Sequence, residues 1–229
     1  MKPAPPSRNP TNDDSLIGLF DVVLRKFLQG VDNMLPAQVI SFDRAKNLAQ
    51  VRPLIAVVTT DNVIVRRAEI QSVPVHIDGA GGFMSNFPIQ PGDLGLLKAN
   101  DRDISLFKNA WQEAQPNTAR MHSFSDAVFH PCIFSGFTIS AADLNNYVLQ
   151  SLDGSIRFAV GRDHTCISDQ PAYTQSPNAV LDVQSTTKAF KLPRMTSAQK
   201  LAIPSPQAGF MVFDTDGPGV SVYDGSSWS

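Results

Sequence analysis

Few side chains in the sequence have the types and spacing that catalysis requires. The tightest group of reactive side chains is Arg162, Asp163, His164 and Cys166, in which a Cys/His pair could supply a nucleophile and its base. Neighbouring residues of a strand point to opposite faces of a sheet, and no third, orienting group is evident beside the pair. The pattern therefore favours a structural role for these residues over a catalytic one.

Acid–base pairs and metal ligands are equally sparse. Glycoside hydrolysis needs two carboxylates, one of them with a raised pKa, and the only glutamates are Glu69 and Glu113, far apart in the chain. His76, His122 and His130 have spacings unlike those of a zinc or iron site, although a threefold axis could gather three copies of one histidine. We expect no catalytic residue, no cofactor and no metal site.

Composition narrows the class of protein further. Charged residues make up 17% of the 229 residues and the formal net charge is −2, whereas nucleic-acid binders usually carry a basic patch. The two cysteines, Cys132 and Cys166, lack the CxxC spacing of a zinc site, so we expect reduced, structural thiols. No apolar run reaches the roughly 18 residues of a membrane-spanning helix. These features predict a soluble protein, made in a cytoplasm, without a nucleic-acid partner.

The elements that hold these residues are mainly β. Three runs rich in Val and Ile, PAQVISFD, LAQVRPLIAVV and VIVRRAEIQSVPVHI, are followed by GDLGLLKA, a short helix in DRDISLFKNAW, and AVFHPCIF. This order predicts a small Greek-key barrel of the oligonucleotide/oligosaccharide-binding (OB) type over residues 35–136. Two sets of residues should fill its core: on the strands Val51, Leu54, Val63, Val65, Ile70, Val73 and Val75, and on the helix Ile104, Phe107 and Trp111.

An amphipathic helix is predicted before the barrel, over residues 13–34. It follows a proline-rich segment, residues 1–12, that reads as a disordered arm. Apolar residues recur at three- and four-residue spacing up to Gly30. Such a helix needs a partner surface, which could be its own barrel, another subunit or a hub protein. The attachment residues on this stripe are Leu16, Phe20, Val23 and Phe27.

Two further segments follow the barrel. Over residues 137–177, a hairpin is predicted around Asp153 and Gly154, with Ile156, Phe158 and Val160 on one face, and the segment ends in a linker. Over residues 178–229, Thr196 and Gln199 form a capping box that opens a short helix. A terminal hairpin follows in this small β/α module, with Phe213, Tyr223 and Trp228 packed around it.

Three segments resemble the N-terminal barrel of the central, membrane-puncturing spikes of contractile-tailed phages. They are LPAQVISFDRAKNLAQVRPLI, QPGDLGLLKANDRDISLF and RMHSFSDAVFHPCIFSG. The resemblance covers residues 16–136. It implies a homotrimer in which Ile156, Phe158 and Val160 line the threefold axis of a short, intertwined β-helix shaft. Such spikes often end in a metal-bearing His-x-His apex, a motif that this sequence lacks.

Four short motifs near the end of the sequence resemble a small terminal module of phage tail-fibre and tail-tip proteins. They are STTK, PRMT, AGFMVFDTD and YDGSSW. The two resemblances together imply a baseplate central spike in the virion, which caps the tail tube and pierces the host cell envelope on sheath contraction. Its partners would be baseplate hub or tail-tube proteins and the host cell envelope. The alternative is a receptor-binding fibre tip. A cell-wall hydrolase is a weaker alternative, against which the scarcity of glutamates speaks.

Overall fold

The computed structural model describes residues 15–59, 61–170, 176 and 178–229, which form a mainly β chain. The chain divides into two compact units, Met1–Ser135 and Gly136–Ser229. Among the described residues, no helix combines the length and apolarity needed to cross a membrane. The first unit contains α1 (Leu16–Gln29), β1 (Met34–Asp43), β2 (Leu48–Pro53), β3 (Val57–Val58), β4 (Ile64–Val65), β5 (Ile70–Pro74), β6 (Gly79–Ala80), β7 (Phe83–Met84), β8 (Leu94–Asn100), α2 (Ser105–Ala110) and β9 (Ser123–Pro131).

Five strands of the first unit form one sheet that curls into a nearly closed barrel. The strand order is β5-β2-β1-β8-β9, and each neighbouring pair is antiparallel. The two edge strands approach each other where Val75 bridges Phe129 in parallel and the amide of His76 donates to the Phe129 carbonyl at 2.8 Å. Register shifts in three of the strand pairs help to bend the sheet toward this closure.

The barrel core follows the two-residue period of its strands. Alternate residues point inward, and Gly95 on β8 makes room for the Phe129 ring, because a Cβ at Gly95 would collide with it. The core consists of Ala37, Val39, Ala49, Val51, Val73, Val75, Ile89, Leu97, Ala99, Phe124, Ala127 and Phe129. Ile70 is partly buried and packs against this cluster, so the expected inward positions on β2 and β5 are confirmed.

The inward assignment of Leu54, Val63 and Val65 is wrong, since all three side chains are exposed. The chain leaves the barrel after β2 and forms the separate two-stranded hairpin β3–β4, whose pairs are Val57 with Val65 and Val58 with Ile64. The short run of apolar residues is therefore real, but it belongs to a hairpin beside the barrel sheet. Phe83, on the second small hairpin β6–β7, is 84% exposed.

The core role predicted for Ile104, Phe107 and Trp111 is also wrong for the single chain. Helix α2 has no buried residue, and the Phe107 and Trp111 rings contact each other edge-on at 5.4 Å on the exposed surface. Buried carboxylates anchor the segment instead: Asp103 accepts from the Ser105 amide at 2.8 Å. The Arg120 guanidinium bridges Asp103, at 3.1 Å, to Asp126, at 3.0 Å.

Helix α1 is present where apolar spacing predicts it. Its N-cap is Ser15, whose hydroxyl accepts from the Gly18 amide at 3.0 Å, and its C-cap is Gly30. The predicted arm over residues 1–12 and the start of the helix at residue 13 lie outside the described residues.

The described residues of the second unit form two sheets. The first, in the order β10-β11-β12-β13, is built from β10 (Tyr147–Gln150), β11 (Arg157–Val160), β12 (Thr165–Ser168) and β13 (Leu181–Gln184). The hairpin predicted around Asp153 and Gly154 is confirmed as β10–β11. β12 and β13 pair in parallel, and most of the predicted linker between them lies outside the described residues.

The second sheet is small and lies within the predicted terminal module. It comprises β14 (Arg194–Met195), β15 (Met211–Asp214) and β16 (Gly219–Val222), with α3 (Ser197–Leu201) between the first two strands. The predicted capping box is confirmed, since Thr196 accepts from the Gln199 amide and the Gln199 side chain accepts from the Thr196 amide. The terminal hairpin is confirmed as β15–β16.

Candidate oligomerisation and attachment surfaces

One face of the β10–β13 sheet is apolar and exposed to solvent. Ile156, Phe158 and Val160, the predicted trimer core, are 56%, 38% and 37% exposed in the single chain. The strand register extends this surface over all four strands. One row across the sheet consists of Leu149, Phe158, Ile167 and Val183, and the next consists of Tyr147, Val160, Thr165 and Leu181. A contiguous apolar face of this kind marks an interaction surface. We call it the apolar sheet face.

The opposite face of the same sheet is polar and buried. Arg157 is only 2% exposed, and it donates to the Gly154 carbonyl at 2.6 Å and lies 3.5 Å from the Asp143 carboxylate. Asp143 belongs to a single 3-10 turn, Ala141–Asp143. Ala159 and Cys166 are fully buried beside Arg157. The sheet therefore shelters its charged residues within the chain and leaves its apolar residues outside.

The β10–β11 turn is fixed by its own polar groups. The Asp153 carboxylate accepts from the Ser151 hydroxyl at 2.6 Å and from the Ser155 amide at 3.0 Å. These bonds, the Ser151 hydroxyl first, lower the pKa of Asp153 to about 2. Gly154 adopts φ = 70°, which favours glycine. The turn sets the register that places Phe158 opposite Leu149.

Helix α1 presents a second apolar surface. Its large apolar side chains are between 40% and 76% exposed, including the predicted attachment residues Leu16, Phe20, Val23 and Phe27. Among the residues of the helix whose burial is described, only Gly18 is buried. The described residues of the first unit therefore leave the apolar side chains of this helix largely uncovered.

A buried ion pair holds the terminal module together. The Lys200 ammonium group lies 2.7 Å from the Asp214 carboxylate and donates to the Ser221 hydroxyl at 3.0 Å. Asp214 also accepts from the Ser197 hydroxyl at 2.7 Å. These bonds, with Lys200 contributing most, hold the pKa of Asp214 well below its usual range. They join α3 to both β15 and β16.

The three predicted tip residues do not share one face of that module. The Tyr223 and Trp228 rings lie 5.3 Å apart, and Lys200 approaches the Trp228 ring at 5.9 Å. The register places Phe213 on the other face with Val220. There the Arg194 guanidinium lies 4.3 Å above the Phe213 ring. That second face includes Met211, Phe213, Val220 and Val222, of which Met211 and Val220 are exposed.

Of the residues considered for catalysis, Glu69 and His164 make structural contacts. Glu69 accepts from Gln50 at 2.6 Å on the barrel, while Glu113 is exposed. His164 contacts the neighbouring Asp163 at 3.0 Å. Burial, with smaller contributions from Asp182 and Asp143, raises the pKa of the Cys166 thiol, which disfavours the reactive thiolate.

The structure brings together two histidines that sequence spacing did not connect. The His76 and His130 rings stack at 4.6 Å where β5 and β9 meet, and His76 also contacts Asp78 at 3.0 Å. Burial, then the charges of His76 and Lys98, lowers the pKa of His130. His122 lies elsewhere, 3.8 Å from Asp101. Within the described ranges, no three His, Cys, Asp or Glu residues are placed to hold a metal ion.

Two family models match separate parts of the chain. Residues 35–132, which span the barrel, match the family model of the phage protein Gp138 N-terminal domain. Residues 171–229, which include β13 and the terminal module, match the phage tail-like trimerisation region. No curated protein matches the chain at a significant level. The two family matches support a phage tail or baseplate protein and suggest a homotrimer.

Proposed function

We propose that this phage tail-associated protein is the homotrimeric central spike of a contractile-tail baseplate. It would cap the tail tube and be driven through the host cell envelope when the sheath contracts. The observation that carries the proposal is the apolar sheet face: a chain with a trimerisation region exposes Phe158, Val160 and Ile167 on one continuous surface. Three copies around one axis would bury that surface completely.

In the proposed trimer, the barrel is an OB fold and the β10–β13 sheets form the shaft. The order β5-β2-β1-β8-β9, with a parallel contact between the edge strands, supports the OB assignment for this five-stranded, partly open barrel. The four strands of each shaft sheet pair within one chain, so we propose a prism of three sheets in place of the intertwined β-helix that the resemblance implies. Ile156, Phe158 and Val160 would face its axis.

Mechanical work suits this arrangement. Pulling one chain from a prism would expose the apolar faces of all three sheets together, which makes unfolding under load slow. The function needs no catalytic group, and we propose no enzymatic activity. The raised pKa of Cys166 and the exposed setting of Glu113 agree with that view.

Attachment to the baseplate hub or tail-tube proteins is assigned to α1. Its exposed residues Leu16, Phe20, Val23 and Phe27 offer an apolar surface that the first unit does not cover. The protein would be synthesised in the host cytoplasm. It would then be incorporated into the virion tail through α1.

One observation favours a receptor-binding fibre tip as the second candidate. Tyr223, Trp228, Leu201 and Ile203 line an open depression of about 590 Å³ in the terminal module, and aromatic side chains are common in ligand sites. The match to a trimerisation region favours an assembly role for the same module. If the protein is a fibre tip, loss of the depression should impair infection although the tail still assembles. If the module only trimerises the chain, loss of the depression should leave infection unchanged as long as the tail assembles.

Molar mass in solution tests the trimer, and tail assembly tests the spike. We expect three chains per particle by light scattering, and a well-behaved monomer would contradict both candidates. Deleting residues 15–30 should leave the trimer intact but abolish its incorporation into tails seen by electron microscopy. Trp228→Ala, which removes one ring from the depression and leaves α1 unchanged, serves as the control and should be incorporated normally. Incorporation of the helix deletion at the normal level would overturn the attachment assignment.

A further inference from the structure

We infer that the three α1 helices of the trimer pack against one another as a short parallel coiled coil, with Leu16, Phe20, Val23 and Phe27 as its buried seam. The inference rests on the proposed homotrimer and names the partner of α1 as two further copies of the same helix. In the trimer these four residues would contact one another instead of the hub, and hub or tube proteins would bind the outer surface of the three-helix bundle.

The spacing of the four seam residues is that of a coiled coil. They are separated by four, three and four residues, the alternation of the a and d positions of a heptad. At about 100° per residue, their side chains fall on one narrow stripe of the helix. Helices with this repeat bury the stripe most completely against copies that carry it at the same height.

Flanking residues indicate three helices rather than two. Ile17, Leu24 and Leu28 lie on one side of the seam and Leu19 on the other, so that this apolar arc spans about 180° of the helix. A two-helix coil would leave much of this arc in water, because each helix faces only one neighbour. In a three-helix coil each helix faces two neighbours, and the flanking residues are also covered.

The polar residues of α1 agree with that orientation. Asp21 and Arg25 form an ion pair at 2.8 Å within the helix, four residues apart, on the side opposite the seam. Gly18, the one residue of the helix described as buried, lies on that side as well. No charged residue falls on the seam itself, so three copies could meet there without burying like charges.

The rest of the chain supplies what so short a coil lacks. Fourteen residues are two heptads, and an isolated helix of that length is marginal in water. A trimer held by the residues 171–229 region and the apolar sheet face keeps three copies of α1 on one particle. This raises their effective concentration without any new contact. Threefold symmetry also makes the helices parallel, so each seam residue meets its own copies.

Disulfide cross-linking of the full-length trimer tests this inference. In a Cys132→Ser background, which leaves the buried Cys166 in place, Val23→Cys puts a thiol on the seam. Arg25→Cys puts the matched control thiol on the outer side. Diamide oxidises two neighbouring thiols to a disulfide and is itself reduced to the hydrazine. Covalent pairs of chains are then counted on a non-reducing gel, and light scattering reports the molar mass beforehand.

The seam thiols of Val23→Cys should pair at least ten times faster than those of Arg25→Cys, because only the seam brings copies within disulfide reach. Equal rates in two intact trimers would overturn the coiled coil and leave the proposed trimer standing. A monomeric mass for the Cys132→Ser parent, if shared by the wild-type chain, would instead overturn the trimer and the coiled coil with it.

Discussion

The barrel and the β10–β13 sheet solve the burial of apolar surface in opposite ways. The barrel turns its alternating apolar residues inward, where Leu97 and Phe129 are inaccessible to solvent. The β10–β13 sheet turns Arg157 and Cys166 inward and leaves Phe158 and Ile167 outside. Both regions are β-rich and alternate with the same two-residue period. They differ in which half of the alternation the chain itself covers.

This difference separates a region whose core is complete from one that needs partners. The hydrophobic effect stabilises the barrel within one chain. In the proposed trimer, burial of the apolar sheet face would stabilise the β10–β13 sheet only when copies associate. The barrel should therefore keep its fold at any protein concentration, whereas the stability of the sheet should depend on assembly.

Phe158→Asp should have the largest effect, because it places a charge on the apolar sheet face that the proposed trimer buries. In the proposed trimer it would place three carboxylates around one axis, at a cost of several kcal/mol for each buried ion. We expect soluble monomers with intact barrels by light scattering and circular dichroism. Leu144→Asp changes an exposed residue outside the four strands and should remain trimeric. An intact Phe158→Asp trimer would remove Phe158 from the trimer core.

Phe129→Ala should have the next largest effect, and it acts on the barrel side. The ring is fully buried and fills the space left by Gly95, so its loss should cost about 3–5 kcal/mol. The free energy of unfolding of the barrel, measured by chemical denaturation, should fall by the same amount at low and at high protein concentration. Phe83→Ala, at the exposed β6–β7 hairpin, should cost almost nothing. A concentration-dependent loss would mean that the barrel also relies on partners.

The sequence predicts a feature of the fold well when the contacts that form it join residues close together in the chain. Alternation and turn residues predict the barrel strands, the Asp153–Gly154 hairpin and the capping box of α3, since these are local patterns. The burial of Arg157 is not predictable in this way. Charged residues are almost always exposed unless paired, and its partner Asp143 comes from a turn before β10.

The errors have the same origin. Leu54, Val63 and Val65 carry the composition of core strands, but Val63 and Val65 lie in the β3–β4 hairpin, and Leu54 lies between β2 and that hairpin. Their composition does not reveal which sheet they join. The His76–His130 stack likewise depends on the closure of the barrel between strands that are distant in sequence. The apolar stripes of α1 and of the β10–β13 sheet were predictable from residue spacing, but their exposure in the single chain depends on the rest of the fold.

Lys200→Met should have a smaller effect, confined to the terminal module. Like Arg157, Lys200 pairs with a buried carboxylate of its own chain, so its contribution should resemble that of an intrachain core. Leaving Asp214 with fewer donors should cost about 1.5–3 kcal/mol. Thermal unfolding followed by Trp228 fluorescence would measure it. Lys191→Met, on an exposed residue, is the matched control. An unchanged midpoint in Lys200→Met would show that the ion pair adds no stability to the module.

Changes of pH should have the smallest effects on stability. The barrel and the β10–β11 turn should lose stability in different pH ranges. The lowered pKa of His130 means that the folded barrel holds this ring neutral below the ordinary value of 6.5. The unfolded chain then binds the extra proton, so His130 contributes stability above pH 6.5 that is lost as pH falls through the lowered value. For Asp153 the folded pKa is about 2 against an ordinary 3.8. Its contribution to the β10–β11 turn is present above 3.8 and lost as pH falls toward 2.

Denaturation midpoints should therefore respond differently in the two regions between about pH 7.5 and about pH 5.5. The barrel should weaken over this interval because His130, beside His76 and Lys98, resists protonation, whereas the Asp153 turn should not change. His130→Gln should reduce the pH dependence of the barrel, while His122→Gln, which alters a histidine outside the stack, should leave it unchanged. An equal pH dependence in wild type and His130→Gln would show that the stacked pair does not couple barrel stability to pH.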